Sequence, residues 1–360
     1  MTEHSAWIIR PYREGDQAAI LRLCLKVFGA EMPAAHWRWQ MLGNPTRQAV
    51  IWVAETRGGT MTGHCSLIPV PLWRDGKVGI GAWSILSMVH PDYQRQGILR
   101  KLVAAAEAQF AEANGSAGFA FVNQNSIHVY TRQMGWSELQ SEMPVYFAVL
   151  DPSQVLRKYI SSTAIAGVAG TIIRPFTSLL FRSERGSQGA DLRISRVDEF
   201  DERVDEIWES VRPDVKLATD RSWRYLRWRF TESPREYVLH IAEDRGQLSG
   251  IVVTRVDMKF GQRFGYIAEF FFRPGADEAG VALLARARGV LREAGCGMVT
   301  AMALEPPAIR NALERAGFRR LPRRLMPHPI HFISKDLTPR KDSLTDPSSW
   351  FVSWSDHDVV

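Results

Sequence analysis

The segment from Gln94 to Lys101, "QRQGILRK", combines a glycine with side chains that suit an anion-binding site. An apolar strand-like run, "GAWSILSMV", precedes it, and a helical pattern begins directly after Gly97. The unpaired N–H groups of a first helical turn and the positive end of the helix dipole attract anions. The segment adds two arginines and a lysine, and no acidic residue lies between Asp92 and Glu107. These residues favour a phosphate or pyrophosphate site, with a solvated surface turn as the alternative.

Three residues of this segment, Gln94, Gly97 and Leu99, stand at the positions of a Gln/Arg-x-x-Gly-x-Gly/Ala motif. The sequence therefore resembles the GNAT superfamily of acyl-CoA-dependent acetyltransferases, in which this motif follows the fourth strand. Leu99 departs from the motif, and in this respect "YQRQGILRKL" is similar to the enhanced-intracellular-survival group, which also carries tandem GNAT domains. The resemblance implies acetyl-CoA as cosubstrate, without a metal. The expected cofactor contacts are Met88, Val89, Gln94, Arg95, Gln96, Gly97, Ile98, Leu99 and Asn123.

Two long parts of the chain echo each other and predict two domains of one fold. The run "HWRWQMLGNPTRQAVIWVAETRGGTMTG" matches "YLRWRFTESPREYVLHIAEDRGQLSG", "GAWSILSMVHP" matches "GYIAEFFFRP", and "TRQMGW" matches "LERAGF". Each part has the pattern helix, strands joined by a turn, strand, long amphipathic helix, strand and short helix. We therefore expect a mixed α/β (α+β) protein with two tandem GNAT-like domains, each a mixed, largely antiparallel sheet flanked by helices.

The expected boundaries are 1–150 for an acyl-CoA-binding domain and 191–338 for a degenerate second domain. A linker with an apolar helix (151–190) and a tail (339–360) complete the chain. In the second domain the equivalent of the glycine loop is "RPGADEAGVALLARA", and its two acids at the helix start would repel a pyrophosphate. We expect this domain to be non-catalytic.

The residues available for catalysis are few. The resemblance implies that pantetheine lies between the fourth and fifth strands, that the backbone N–H of Met88 or Val89 binds the thioester oxygen, and that an amine attacks directly. The fourth strand carries no carboxylate, so Ser84 and Ser87 are the only side chains there that can hold a water. Both are also explained as small polar residues of a half-buried strand.

Tyr130 is the tyrosine available to protonate the departing thiolate. It precedes Gly135 by five residues, whereas the family spacing is four, and one residue rotates a helical side chain by about 100°. Tyr130 is thus predicted either as the catalytic acid or as a core residue of its helix.

The C-terminal segment "DPSSWFVSWSDHDVV" is rich in aromatic residues, unlike a disordered end. We hypothesise that it docks on the N-terminal domain, where Asp356, Asp358 or the terminal carboxylate of Val360 would orient the acceptor ammonium or take its proton. The alternative is an aromatic strap that closes the second domain.

Composition limits the remaining classes of function. The net charge is +6, but the 45 basic and 39 acidic residues are interspersed, so no nucleic-acid partner is expected. Three distant cysteines suggest neither a disulfide framework nor a metal cluster. The start of the chain lacks a signal-peptide pattern, which favours the cytoplasm. Arg174 and Pro175 interrupt the apolar run between Tyr159 and Phe181 before it reaches the length of a membrane span, so a packed or interfacial helix is expected and peripheral membrane contact stays open.

These patterns predict an N-acetyltransferase that transfers acetyl to a primary amine of a small molecule or amino sugar by direct attack in a ternary complex. No activated cysteine or serine nucleophile is apparent. Two alternatives stay open: a Fem-type aminoacyl or peptidyl transferase, and a non-catalytic acyl-CoA-binding sensor or scaffold.

Overall fold

The computed structural model describes residues 7–140, 142–156, 191–259, 261–304, 306–325, 330–338 and 344–357. The helices are α1 (Gln17–Phe28), α2 (Ala34–Met41), α3 (Ile98–Glu112), α4 (Gln124–Gln133), α5 (Pro152–Leu156), α6 (Arg203–Val211), α7 (Trp223–Leu226), α8 (Asp277–Glu293) and α9 (Pro307–Arg315). The strands are β1 (Trp7–Pro11), β2 (Val50–Thr56), β3 (Met61–Arg74), β4 (Lys77–Val89), β5 (Ala117–Val122), β6 (Ser137–Gln140), β7 (Val145–Val149), β8 (Leu192–Val197), β9 (Leu217–Thr219), β10 (Val238–Asp244), β11 (Gln247–Lys259), β12 (Gln262–Phe272), β13 (Met298–Met302), β14 (Arg319–Arg320), β15 (His331–Asp336) and β16 (Trp350–Phe351).

The chain forms two compact units, each discontinuous in sequence. The first contains residues 1–142 and 328–347, and the second contains residues 143–327 and 348–360. The described part of the C-terminal segment from residue 348 onward therefore belongs to the second unit. The docking of this segment on the first domain stays a hypothesis.

In the first unit the strands are ordered β1-β2-β3-β4-β5-β15-β6. Every neighbouring pair is antiparallel except β4 with β5. The apolar stripe of α3, predicted from its 3.6-residue period, covers one face of the sheet, and α1 and α2 contribute to a core cluster that also contains residues of β2, β3 and β4. The α3 residues of that stripe are 0–1% exposed: Ile98, Leu102, Ala106 and Phe110.

The second unit repeats this architecture, with strands ordered β14-β7-β13-β12-β11-β10-β8. Among the described strands in this order, only β12 and β13 pair in parallel, and α8 packs on β10, β11 and β12. The expectation of two domains with mixed, largely antiparallel sheets is confirmed. No helix among the described ranges is long and apolar enough to cross a bilayer, and the linker segment between Tyr159 and Phe181 lies outside those ranges.

The two units differ from the predicted sequence ranges by one strand each. β7 lies before residue 150 but pairs with β13 of the second sheet, with Met298 opposite Val149. β15 lies before residue 338 but pairs with β5 of the first sheet, with Asp336 opposite Ala117. Strand pairing depends on which sheet edge offers free N–H and C=O groups, so sequence adjacency does not fix it.

Candidate active site

The parallel strands β4 and β5 pair along only part of their length. The register joins Gly81–Trp83 to Ala117–Phe119. Beyond these residues β4 continues to Val89 and β5 to Val122 without register partners on each other among the described residues. The strands therefore diverge towards the loop that leads into α3.

A β-bulge interrupts β4 within this divergent part. His64 lies opposite Met88 and Ser66 lies opposite Ile85, so two residues of β4 face one residue of β3. Leu86, at the bulge, has a φ of 50°, in the left-handed region that leucine rarely adopts. Such strain persists only where the surroundings fix it.

A buried histidine holds the bulge. Nδ1 of His64 lies 2.8 Å from the carbonyl oxygen of Leu86, and because a carbonyl only accepts, Nδ1 carries the proton. Burial lowers the pKa of His64 from 6.5 to about 4, so the imidazole is neutral at neutral pH. Sequence reasoning missed His64 and the bulge, since neither residue type signals a left-handed turn inside a strand.

The pairing on the β3 side fixes where the backbone of β4 points. The N–H of His90 donates to the carbonyl oxygen of Thr62 at 2.8 Å, and Val89 lies opposite Gly63. Because alternate residues of an antiparallel strand point their N–H groups to opposite sides, the N–H of Val89 points away from β3. Of the two predicted thioester donors, Met88 and Val89, Val89 therefore faces the divergent side.

The loop after β4 has the geometry of an anion cradle. Gly97, with a φ of 77°, is the N-cap of α3, and Arg95 is also left-handed, with a φ of 63°. The N–H of Lys101 bonds to the carbonyl oxygen of Gly97 at 3.2 Å, so the preceding N–H groups of the first turn have no helical acceptor. A Cβ added at Gly97 would meet no atom within 4 Å, which leaves space over this backbone.

The charges around the cradle are positive and accessible. Arg95, Arg100 and Lys101 are exposed, and within the described residues none of them forms an ion pair. Gln96 is held by the indole N–H of Trp7, which donates to its Oε1 at 3.0 Å. This chain's residues thus fit the pyrophosphate of an acyl-CoA.

The remaining predicted cofactor contacts have partly different surroundings. Gln94 is exposed, whereas the side chains of Ile98 and Met88 are 1% and 2% exposed and belong to the core, so they can offer only backbone groups. Leu99 packs at the edge of the core. Asn123 follows β5 and caps α4: its Oδ1 accepts from the N–H groups of Asn125 at 3.0 Å and Ser126 at 3.2 Å.

Tyr130 combines features of both predicted roles. Its ring is 2% exposed and packs edge-on against Trp136, with centroids 5.3 Å apart. Burial raises the pKa of its phenol, while hydrogen bonding with Ser87 and Ser84 acts in the opposite direction. The ring belongs to the core, and the hydroxyl is directed at the two serines of β4.

The serines connect Tyr130 to the divergent strands. Ser84 Oγ and Ser87 Oγ are 3.4 Å apart, and Ser87 Oγ donates to Cys65 Sγ at 3.6 Å. Burial raises the pKa of the Cys65 thiol to about 12, so this cysteine is not an activated nucleophile. Ser87 is only partly buried, which places a hydroxyl between Tyr130 and the accessible side of β4.

Of the predicted tail carboxylates, the described one has its partner within the second unit. The Asp356 carboxylate, 1% exposed, pairs with Arg221 in the second unit, and Asp358 lies outside the described residues. At the start of α8, Asp277 and Glu278 are exposed in the first turn. No cluster of His, Cys, Asp and Glu that could hold a metal ion occurs in the described ranges.

Most of the first unit matches a known protein family. Residues 17–136 match the model of the Acetyltransferase (GNAT) family, whereas no curated protein sequence matches the chain. The fold is similar to that of a tandem GNAT protein from the clavulanic acid biosynthesis pathway, at 15% identity and a TM-score of 0.59 over 93% of this chain and 100% of that one.

Two further solved structures share the fold. One is Saccharomyces cerevisiae N-myristoyltransferase with bound myristoyl-CoA, at 11% identity and a TM-score of 0.61 over 92% of this chain and 82% of that one. The other is a GCN5-related N-acetyltransferase from Anabaena variabilis, at 11% identity and a TM-score of 0.59 over 92% and 73%. Residues 17–136 thus match the Acetyltransferase (GNAT) family, and the two units of the chain share the fold of a tandem GNAT protein.

Proposed function

We propose that the chain is an N-acetyltransferase that transfers acetyl from acetyl-CoA to a primary amine of a small molecule or amino sugar. The observation that carries the proposal is the divergence of β4 from β5 directly before the cradle at Gly97. An extended thioester can lie along β4 while its pyrophosphate meets the first turn of α3.

The residues of β4 would orient the reacting group. Acetyl-CoA supplies a thioester whose carbonyl carbon forms a bond to the amine nitrogen as the carbon–sulfur bond breaks. The N–H of Val89 would donate to the carbonyl oxygen, where negative charge develops. The His64 hydrogen bond to Leu86 keeps the bulge, and with it Val89, in one position.

Proton transfer would use hydroxyl groups, because β4 carries no carboxylate. Tyr130 would give its proton through Ser87 to the sulfur as the carbon–sulfur bond breaks. A water held by Ser87 would take the proton that the amine loses. Asp356 is not assigned to this step, since its carboxylate already pairs with Arg221.

A reducing, cytoplasmic location is part of the proposal. The three cysteines, Cys24, Cys65 and Cys296, are buried, and none of them forms a disulfide within the described residues. Disulfides persist in oxidising compartments and are rare in the cytosol, so buried cysteines outside disulfides suit the cytosol.

The test is thiol release from acetyl-CoA across a panel of amino sugars, polyamines and amino acids, with mass spectrometry of the amine product. The proposal expects one class of primary amine to accept acetyl at a rate well above hydrolysis. CoA binding without any acylated amine would instead favour a sensor or scaffold. Acylation from aminoacyl-tRNA but not from acetyl-CoA would favour the Fem-type alternative.

A further inference from the structure

We propose that Trp350–Asp356, a segment of the chain itself, is the internal ligand of the second unit, where it occupies the space between the diverging strands β12 and β13. The analogy to an acyl-CoA cleft rests on the proposed function of the first unit. The occupancy itself rests only on contacts within the second unit.

The two parallel strands of the second unit diverge as β4 and β5 do. Their register ends at Ile267 opposite Ala301, while β12 continues to Phe272 and β13 to Met302. The antiparallel register of β12 with β11 also shifts between Ile267 and Glu269, so an irregularity lies at the point of divergence here too.

The C-terminal segment lies at this divergence. A cavity there has walls from both strands, from α9 and from the segment. Its volume is about 10 Å³, at the lower limit for one water molecule, so little space is left beside the segment. The lining residues used here are Ile267, Phe270, Ala301, Met302, Phe351 and Val352.

Polar contacts anchor the segment to β12. Ser353 Oγ and Ser355 Oγ donate to Oε2 of Glu269 at 3.0 and 2.7 Å. Arg221 donates to the same Glu269 oxygen at 3.2 Å and also pairs with Asp356. The side chains of Arg221 and Glu269 are fully buried, so each charge depends on the others for compensation.

A second arginine and the aromatic rings complete the anchoring. Nε of Arg229 donates to the carbonyl oxygen of Ser355 at 3.0 Å. The guanidinium of Arg221 lies 4.7 Å from the ring of Phe351, and Trp354 meets Tyr266 edge-on at 5.8 Å. β16, which begins the segment, pairs in parallel with β9.

This occupant changes the chemistry of the second unit. Glu269 is the one carboxylate of β12, on the strand that corresponds to β4. Burial raises its pKa, and its Oε2 receives the two serine hydroxyls and Arg221. It is therefore a fixed partner of the segment and cannot serve as a base for a substrate.

The experiment uses the full chain with a protease site inserted between Pro347 and Ser348. After cleavage, we expect the C-terminal peptide to remain bound through gel filtration and to exchange slowly with a fluorescent copy of residues 348–360. Asp356→Asn should speed that exchange at least tenfold, because it leaves the Arg221 charge without one partner. Ser355→Ala, which removes only one hydrogen bond to Glu269, should have a smaller effect in the same direction and serves where Asp356→Asn fails to fold.

Two results would overturn the proposal. One is immediate loss of the cleaved peptide while the remaining chain keeps its melting temperature. The other is calorimetry that shows two CoA molecules bound per intact chain. Neither readout depends on acetyl transfer, so failure of the proposed function and failure of this inference remain distinguishable.

Discussion

The two units of this chain share a fold and differ most where their parallel strands diverge. In the first unit the strand bears Leu86 and Ser87, both uncharged, and the following helix begins beside exposed arginines. In the second unit the strand bears Glu269, bound to Arg221 and the chain's own C-terminal segment, and the following helix begins with two acids. Because the architecture is shared and the charges are opposite, we expect side chains at the strand ends, rather than the fold, to decide which unit can bind an anionic cosubstrate.

A matched pair of glycine substitutions should give the largest difference between the units. Gly97 precedes α3 with a φ of 77°, and Gly275 precedes α8 with a φ of 83°. A Cβ at either meets no atom within 4 Å, so Gly97→Glu and Gly275→Glu carry similar backbone strain. A carboxylate about 4 Å from a bound phosphate costs about 4 kcal/mol at an effective dielectric constant near 20, or roughly 10³-fold in Kd.

We therefore expect Gly97→Glu to abolish measurable CoA binding and Gly275→Glu to leave it at the wild-type value. Isothermal titration calorimetry gives both affinity and stoichiometry. Loss of CoA binding in the Gly275→Glu variant alone would mean that CoA binds to the second unit, contrary to this prediction.

Removal of one phenol hydroxyl should separate the two roles of Tyr130. If the proton of Tyr130 reaches the sulfur through Ser87, Tyr130→Phe should lower kcat by about 10²–10⁴. The affinity for CoA should not change, and the free energy of unfolding should fall by only about 1 kcal/mol. The matched control is Tyr266→Phe in the second unit, another buried phenol, whose pKa burial raises to about 12. Wild-type kcat from Tyr130→Phe would reduce Tyr130 to a core residue.

Acid should destabilise the fold through protonation of His64, the residue that hydrogen-bonds to the bulge of the first unit. The pKa of His64 is about 4 in the fold and 6.5 without burial. As the pH falls, the His64 imidazole is therefore protonated in the unfolded chain before it is protonated in the folded chain. The free energy of unfolding decreases between about pH 6.5 and about pH 4, by about 3 kcal/mol in all. Burial also lowers the pKa of His240 in the second unit to about 4, so two histidines share the slope.

His64→Asn tests how much of the pH dependence of stability comes from the first unit. Its side-chain amide can still donate to the Leu86 carbonyl but does not titrate, so it should reduce the pH dependence of unfolding by urea while keeping most of kcat. His64→Leu should reduce both the pH dependence and kcat. An unchanged pH dependence in both variants would show that the His64 imidazole does not titrate as its burial implies.

The sequence predicted the parts of this comparison that depend on local patterns. The stripe of α3 follows from a 3.6-residue period, and the turn at Gly97 follows from a glycine before that stripe. The bulge at Leu86 was beyond reach, because leucine has no preference for a left-handed φ. The pairing of β7 with the second sheet was equally hidden, since it joins residues about 150 positions apart whose contact no local pattern encodes.

The burial and the contacts of the C-terminal segment were predicted only in part. The aromatic residues of the C-terminal segment indicated burial, and Trp350 and Phe351 are indeed 1% and 2% exposed. The partner of Asp356 could not be predicted, because Arg221 is one of many arginines in the sequence and only the fold brings it close. The proposed catalytic residues remain predictions that the variants above test.

The smallest effect should come from the acids that begin α8. Asp277 and Glu278 are exposed, and Glu278 pairs with Arg315 across a surface where the two side chains are 48% and 32% exposed. Interactions of this kind with a helix dipole or a surface arginine contribute roughly 0.3–1 kcal/mol each. Replacing both acids by alanine should therefore lower the melting temperature by only a few degrees and leave turnover unchanged, because no ligand is needed to explain them.

The matched change in the first unit, Arg95→Ala with Arg100→Ala, should do the reverse. These arginines have no ion-pair partner within the described residues, so the melting temperature should not change. The affinity for CoA should fall, and the salt dependence of that affinity should weaken. Thermal unfolding and calorimetry on the two double variants measure both quantities. A tenfold loss of turnover from the acid pair, in folded protein, would mean that the second unit takes part in catalysis after all.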